Sequence, residues 1–180
     1  MRVCVITGCS SGIGFEVLVQ LASKSLDISF VLINRTADDN KRVTAEVKER
    51  IPSVKIEATF AVDLSELDDV ISVSQRVKAR IPVIDILVLN AGIMMVPFGM
   101  SHTGVETHMN VNYLSNKVLV DVLLPNLLNS ELGSRVICTS SVAHAWSGEK
   151  FTFLQLKPSP KSYGSGVWLL SLVKKGLYVM

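Results

Sequence analysis

The chain has 180 residues, 48% hydrophobic and 19% charged; this fits one domain with a real core and excludes a disordered chain, because burial can offset the entropy of ordering. Eighteen basic and sixteen acidic residues leave a formal charge of +2, dispersed without a Lys/Arg run, so nucleic acid is not an expected partner. Cys4, Cys9 and Cys138 are irregularly spaced and lack a CxxC pair, which argues against a disulfide framework and a zinc site and for a reducing compartment.

Val3-Cys4-Val5-Ile6 at the N-terminus is too short for the apolar part of a signal peptide and runs into glycines, so no export signal is expected. No apolar run reaches the ~18 residues of a membrane span, and the greasy stretch from Val167 to Val173 reads as a buried helix face. The expected location is the cytoplasm, extending to the periphery of the endoplasmic reticulum.

Short Val- and Ile-rich runs alternate with amphipathic segments. Strands are expected at residues 2–7, 29–34, 55–61, 84–90 and 134–139, and helices at 12–23, 37–50, 65–78 and 107–128. Thr36 and Ser65 are expected caps, each followed by acids that suit a helix N-terminus. The alternation predicts βαβ units, and strands so continuously apolar should be buried on both faces. Pro158 and Pro160 mark a loop, and a last helix is expected over 162–175. The fold class is therefore α/β, a doubly wound parallel sheet of Rossmann type, in one domain over 1–180.

Thr7-Gly8-Cys9-Ser10-Ser11-Gly12-Ile13-Gly14 falls where the first strand must turn into the first helix. Gly8 can take a backbone conformation closed to other residues, Gly12 lets the chain approach a pyrophosphate, and Gly14 permits close packing of helix on strand. Free N–H groups at the helix start would face the anion. Asn34-Arg35 ends the second strand, where an acid would select NAD by binding the ribose 2′-hydroxyl. A neutral Asn34 and a cationic Arg35 favour the 2′-phosphate of NADP over NAD, the plainer role for Arg35 being a solvated loop cation. Asp63-Leu64, beyond the third strand, reads equally as an adenine contact or a turn.

Four segments in order, the glycine turn, Leu89-Asn90-Ala91-Gly92, Asn112 within Asn110-Val111-Asn112-Tyr113, and Thr139-Ser140-Ser141, resemble the short-chain dehydrogenase/reductase family. Ile6 to Gly14, Asn90 to Met95 and Ser140 to His144 look like its steroid- and retinol-handling branches. The resemblance implies that Thr7, Gly8, Ser10, Ser11, Gly12, Ile13 and Gly14 hold the pyrophosphate side of an NADP cofactor, and that Asn90, Ala91 and Gly92 line its ribose. It implies also that Ser141 orients the substrate carbonyl or hydroxyl, that Tyr163 is the general acid/base, and that Asn112 supports a proton-relay water. The implied substrate is a small lipophilic alcohol or carbonyl, steroid- or retinoid-like.

Two features depart from that pattern. The family places a Lys four residues after its Tyr, on the same helix face, where the cation lowers a phenol pKa of ~10; here Val167 stands at that position, and Lys174 and Lys175 lie about 16 Å further along a helix. The family also continues with further strands and a substrate lid, so the chain reads as incomplete on its C-terminal side. A sheet ending at the fifth strand would leave an edge open to self-association or to pairing with a longer relative. Two readings follow: an NADP(H)-dependent oxidoreductase, and a non-catalytic NADP(H)-binding shortened form.

The remaining candidates are plainer. His102, His108 and His144 have no acidic or Cys partner at metal-ligand spacing and read as surface or loop residues. Met94, Met95, Phe98 and Trp146 read as the edge of an apolar pocket or as packing. Cys9, beside a helix N-terminus, would have a lowered thiol pKa but has no base to make it a nucleophile.

Overall fold

The structure is a computed structural model that describes residues 1–24 and 27–142. The expected loop at Pro158 and Pro160, the helix over 162–175, Tyr163, Val167, His144 and Trp146 lie outside the described residues.

Among the described residues five parallel strands, β1 (Arg2–Thr7), β2 (Ile28–Asn34), β3 (Lys55–Ala61), β4 (Ile86–Leu89) and β5 (Arg135–Cys138), form one sheet in the order β3-β2-β1-β4-β5. Helices α1 (Gly12–Lys24), α2 (Ala37–Arg50), α3 (Leu67–Arg80), α4 (Thr107–Met109) and α5 (Ser115–Leu128) alternate with them, with a π-helical turn over Asn110–Leu114 between α4 and α5. This is the doubly wound, Rossmann-like α/β fold that the alternation predicts.

Alternate strand residues feed two separate cores, as the two-residue period requires. Val5, Val31, Ile33, Leu87 and Leu89 pack with α3 and α5 residues such as Val73, Val77, Leu119 and Leu123. Cys4, Ile6, Phe30, Leu32 and Val88 pack on the other face with Phe15 and Leu18 of α1 and Val43 and Val47 of α2. Each fully buried aliphatic or aromatic side chain contributes about 1.5–3 kcal/mol.

Burial on both faces holds for β2, whose seven residues are all buried, but not for β3 or β5. Among the described strands these two are the edges; Ile56 and Thr59 of β3 and Val136 and Ile137 of β5 reflect strand propensity more than enclosure, and Val136 and Ile137 are exposed.

Two helix starts differ in outcome. Thr36 caps α2, its hydroxyl accepting from the Asp39 N–H at 3.0 Å, and Thr36 and Arg42 hold the Asp39 carboxyl below the usual range. Ser65 does not cap α3. The helix starts at Leu67, because Ser65 donates both its N–H and its hydroxyl to the Asp63 carboxylate, at 2.9 and 2.8 Å; that Asx-type turn ends before the helix begins. The expected helix over 107–128 is α4, the π turn and α5 in sequence, with Pro125 inside α5.

Candidate active site

Parallel register sets Thr7 opposite Ile33 on one side and Leu89 on the other, and Leu89 opposite Cys138. The chain therefore leaves β1, β2, β4 and β5 along one line, at the point where successive connections run to opposite sides of β1. In open α/β sheets that reversal forms the ligand crevice.

Gly8 and Gly12 both take left-handed backbone, with φ of +65° and +56°. At Gly8 a Cβ would lie 2.7 Å from the Ala91 Cα, so the turn is pressed against the segment that follows β4; Gly12 faces open space. A Cβ at Gly14 would strike the Gly8 carbonyl and the Asn90 side chain, which makes Gly14 a packing glycine. Ser11, Gly12 and Ile13 are exposed, and the first turn of α1 carries no acid. An anion brought there would meet the positive helix end and no nearby carboxylate of that helix.

Thr7 ties this turn to the β4 side. Its hydroxyl oxygen accepts from the N–H groups of Asn90 and Ala91, both at 3.1 Å, and lies 3.4 Å from the Val88 carbonyl as donor. Asn90 donates its amide to the Gly8 carbonyl at 2.9 Å and accepts from the Thr139 hydroxyl at 3.1 Å. Thr7, Gly8, Asn90, Ala91 and Thr139 thus form one hydrogen-bonded rim across three strand ends. Gly92 is exposed beside it, and Ser141 is half-buried two residues beyond Thr139.

Asn112, fully buried in the π turn, spends its carboxamide on Ile93, accepting from its N–H at 2.8 Å and donating to its carbonyl at 3.0 Å. The loop beyond β4 is thereby clamped. Past the clamp, Met94 and Met95 are exposed, and Met95 has φ +57°, a conformation costly for a long side chain.

Asn34 is not brought to this rim. It is buried and donates to the side chain of Asn40 at 2.9 Å and to the Cys9 sulfur at 3.4 Å, so its amide serves the interior under α2. Arg35, the next residue, is exposed. Asp38 pairs with Lys41 and Asp39 with Arg42; among the described residues no acid is paired with Arg35. Asp63 takes up the turn role described above, and Leu64 is buried. A groove of about 590 Å³ between α2 and β3 is lined from Ala37 to Lys48 on α2 and by Thr59 and Ala61, and takes in no residue of the glycine turn.

Two sequence expectations are overturned. Cys9 is fully buried, and burial pushes its thiol up to about 11, against a smaller lowering by Asn34; burial and the neighbouring Cys9 push Cys4 up to about 12. Desolvation outweighs the helix N-terminus. His108 is not a surface residue: it is fully enclosed, with Nδ1 2.9 Å from a Glu106 carboxylate oxygen, while the other Glu106 oxygen caps α4 by accepting from the Met109 N–H at 3.0 Å. Burial alone would raise the Glu106 pKa, but these hydrogen bonds and the His108 backbone hold it below the usual carboxylate range. His102, as expected, is exposed, near Glu66 and Asp68.

Sequence reasoning missed Glu106, His108, Asn40, Asn110 and Ser115 as structural anchors of the site. The signal was present: Asn40 shares a helix face with Val43 and Val47, and a polar residue on an apolar stripe is enclosed and must be bonded.

Residues 2–152 match the family model described as short chain dehydrogenase. The chain belongs to the short-chain dehydrogenase family. Among its relatives, human polyprenol dehydrogenase is 30% identical over 146 residues, covering 79% of this chain and 43% of that protein. Human retinol dehydrogenase 12 is 32% identical over 170 residues, covering 92% and 50%. The chain spans about half the length of these curated relatives. A short-chain dehydrogenase from Escherichia coli CFT073, complexed with NADPH, superposes with a TM-score of 0.73 at 22% identity, over 99% of this chain and 68% of that one. A short-chain dehydrogenase fold implies a nicotinamide dinucleotide cofactor, and the glycine turn of this member, open at Gly12 and free of acids in the first turn of α1, fits the pyrophosphate of one. No helix among the described residues is long and apolar enough to cross a membrane.

Proposed function

We propose that this chain binds NADP(H) at the ends of β1, β2 and β4 and serves an oxidoreductase that interconverts an alcohol and a carbonyl on a lipophilic, steroid- or retinoid-like substrate. The observation that carries the reading is the glycine turn, held in its open, left-handed form and tied by Thr7 to Asn90 and Ala91. In this reading Gly8, Ser10, Ser11, Gly12, Ile13 and Gly14 take the pyrophosphate on backbone N–H groups, with Thr7 setting their position, and Asn90, Ala91 and Gly92 flank the ribose. Arg35 takes the 2′-phosphate and so favours NADP over NAD; the pairing of Asp38 and Asp39 with Lys41 and Arg42 supports this, because the cation is left to the ligand. Asp63 and Leu64 border the adenine by position in the chain. When bound, the cofactor supplies or accepts the hydride.

Ser141 orients the substrate oxygen, Tyr163 exchanges its proton, and Asn112 steadies a relay water through the turn it occupies. Met94 and Met95, exposed beside the clamp at Ile93, offer adaptable apolar contact to the substrate. The names of the polyprenol and retinol relatives support a long apolar alcohol as the substrate class. Three cysteines without a framework pattern fit a cytoplasmic setting, and the substrate class extends it to the periphery of the endoplasmic reticulum. The exposed Val136 and Ile137 of the β5 edge suit self-association or a longer relative as partner.

Val167 favours a second reading, in which the chain binds NADP(H) without turnover, because Tyr163 lacks the cation that would make its phenol a base near neutral pH. Thermal unfolding with and without NADPH tests the shared part. NADPH at about 100 times its Kd should stabilise the fold by about 2.7 kcal/mol, NADH should do less, and Arg35→Ala should erase the difference; no protection by either nucleotide sinks both readings. Reduction of retinal or a steroid ketone with NADPH then separates them, and Val167→Lys should raise the rate if the missing cation limits it.

A further inference from the structure

We propose that Ser115 and Asn110 lock the adenosine-side loop, residues 62–65, to the helical segment that carries Asn112, so that both ends of the dinucleotide site move as one body. For its ligand consequences this rests on the NADP(H) reading above, which it deepens.

Ser115 is fully buried, and its hydroxyl lies 2.6 Å from the Leu64 carbonyl and 2.8 Å from the Asn110 carbonyl. Asn110, equally buried, donates its amide to the Ser65 carbonyl at 2.6 Å. Two consecutive carbonyls of the loop beyond β3 therefore end on two side chains of the segment that leads into α5. The π turn makes this possible. Its wider spacing brings the Ser115 N–H to the Asn110 carbonyl, where α-helical spacing would bring the N–H of Leu114, and so keeps the Ser115 and Asn110 side chains together under the loop. Asn112 sits midway in the same turn and clamps Ile93.

The loop's other hydrogen bonds are the Val62 N–H to the Asn34 carbonyl at 2.9 Å and the internal Asp63 turn; neither reaches the helical segment, whose remaining tie to the loop is the apolar core that Val62 and Leu64 share with Val111. Moving residues 64–65 without the π turn would strip both bonds from carbonyls drawn toward the interior, where water is a poor substitute. Adenosine-side binding and the placement of Asn112 are coupled through a chain of hydrogen bonds. Ser115 and Asn110 are positioning residues: they act through Leu64, Ser65 and the π turn.

Ser115→Ala and, separately, Asn110→Ala are compared with the unaltered full chain by amide hydrogen exchange of the ligand-free protein and by equilibrium binding of adenosine 2′,5′-bisphosphate, the adenosine half of the cofactor. Exchange should rise together in residues 62–66 and 110–116, and the fragment should bind about tenfold more weakly, the effect of one lost buried hydrogen bond. Ser115→Thr, which keeps the hydroxyl, should restore both. Should Ser115→Ala not fold, Asn110→Ala breaks the neighbouring bond and reads the same pair of segments. Faster exchange confined to the helical segment overturns the lock, as does unchanged fragment affinity in a variant whose loop exchanges faster. Coupled exchange in a chain that binds no fragment leaves the lock standing and removes the NADP(H) reading instead.

Discussion

Gly8 and Gly12 share a left-handed backbone but not a neighbourhood, and that difference separates strain from contact. Alanine at Gly12 meets open space at φ +56° and should cost about 1 kcal/mol of stability, the price of the backbone conformation alone. Alanine at Gly8 adds a Cβ 2.7 Å from the Ala91 Cα, backbone that cannot swing aside, so it should cost more than about 2 kcal/mol. Urea unfolding of the two variants checks this; equal losses would show that the rim between Gly8 and Ala91 yields. The left-handed turn at Gly8 and the close packing at Gly14 were legible in the sequence, because each follows from spacing between a strand and a helix. The fates of Cys9 and His108 were not. Proximity to a helix end is visible in a sequence, whereas enclosure by Asn34 and the core beneath α2, or by Glu106 two residues away, is a property of the packed chain.

Among the elements, α2 shows how local a helix start can be. Thr36→Ala removes the bond to the Asp39 N–H and should lower stability by about 1 kcal/mol, while Thr36→Ser should change it little; urea midpoints of both variants test the cap, and equal midpoints would discount it. Strands and helices were legible where the apolar pattern is strong, as in residues 30–33 of β2. The Asn110–Leu114 turn was not, since one extra residue in a helical turn leaves the apolar pattern on either side almost unchanged. The late start of α3 escaped for a related reason: Ser65 has the chemistry of a cap, and Asp63 competes for it. The edge positions of β3 and β5 depend on strand order, which the chain's own order does not spell out.

For the whole molecule, Glu106 links folding to pH. Its carboxyl is held below the ordinary value in the folded state, so the unfolded chain takes up the proton first. The stabilisation is present in full above the ordinary carboxylate pKa of ~4.3 and is lost as pH falls through it toward the lower folded value. Glu106→Gln should accordingly be less stable at pH 7 and show a flatter loss of stability on acidification, read from urea midpoints between neutral pH and pH 3. Parallel slopes for the two proteins would show that the carboxylate is not held down.

Strand order also governs how this molecule can assemble. Among the described strands β1 comes earliest in the chain yet lies inside the sheet, with β2 on one side and β4 on the other. β2 follows closely, but Cys4 must wait for Ile86 before its second side is paired. Throughout that interval β1, joined to β2 and then β3 on one side only, carries an open, apolar flank on the other, a site where another nascent copy can pair. Long-range parallel pairing of this kind makes for slow folding and exposes intermediates to aggregation. The rim that joins Thr7 and Gly8 to Asn90 and Ala91 closes only when that flank is filled, so the crevice forms as a late event of folding.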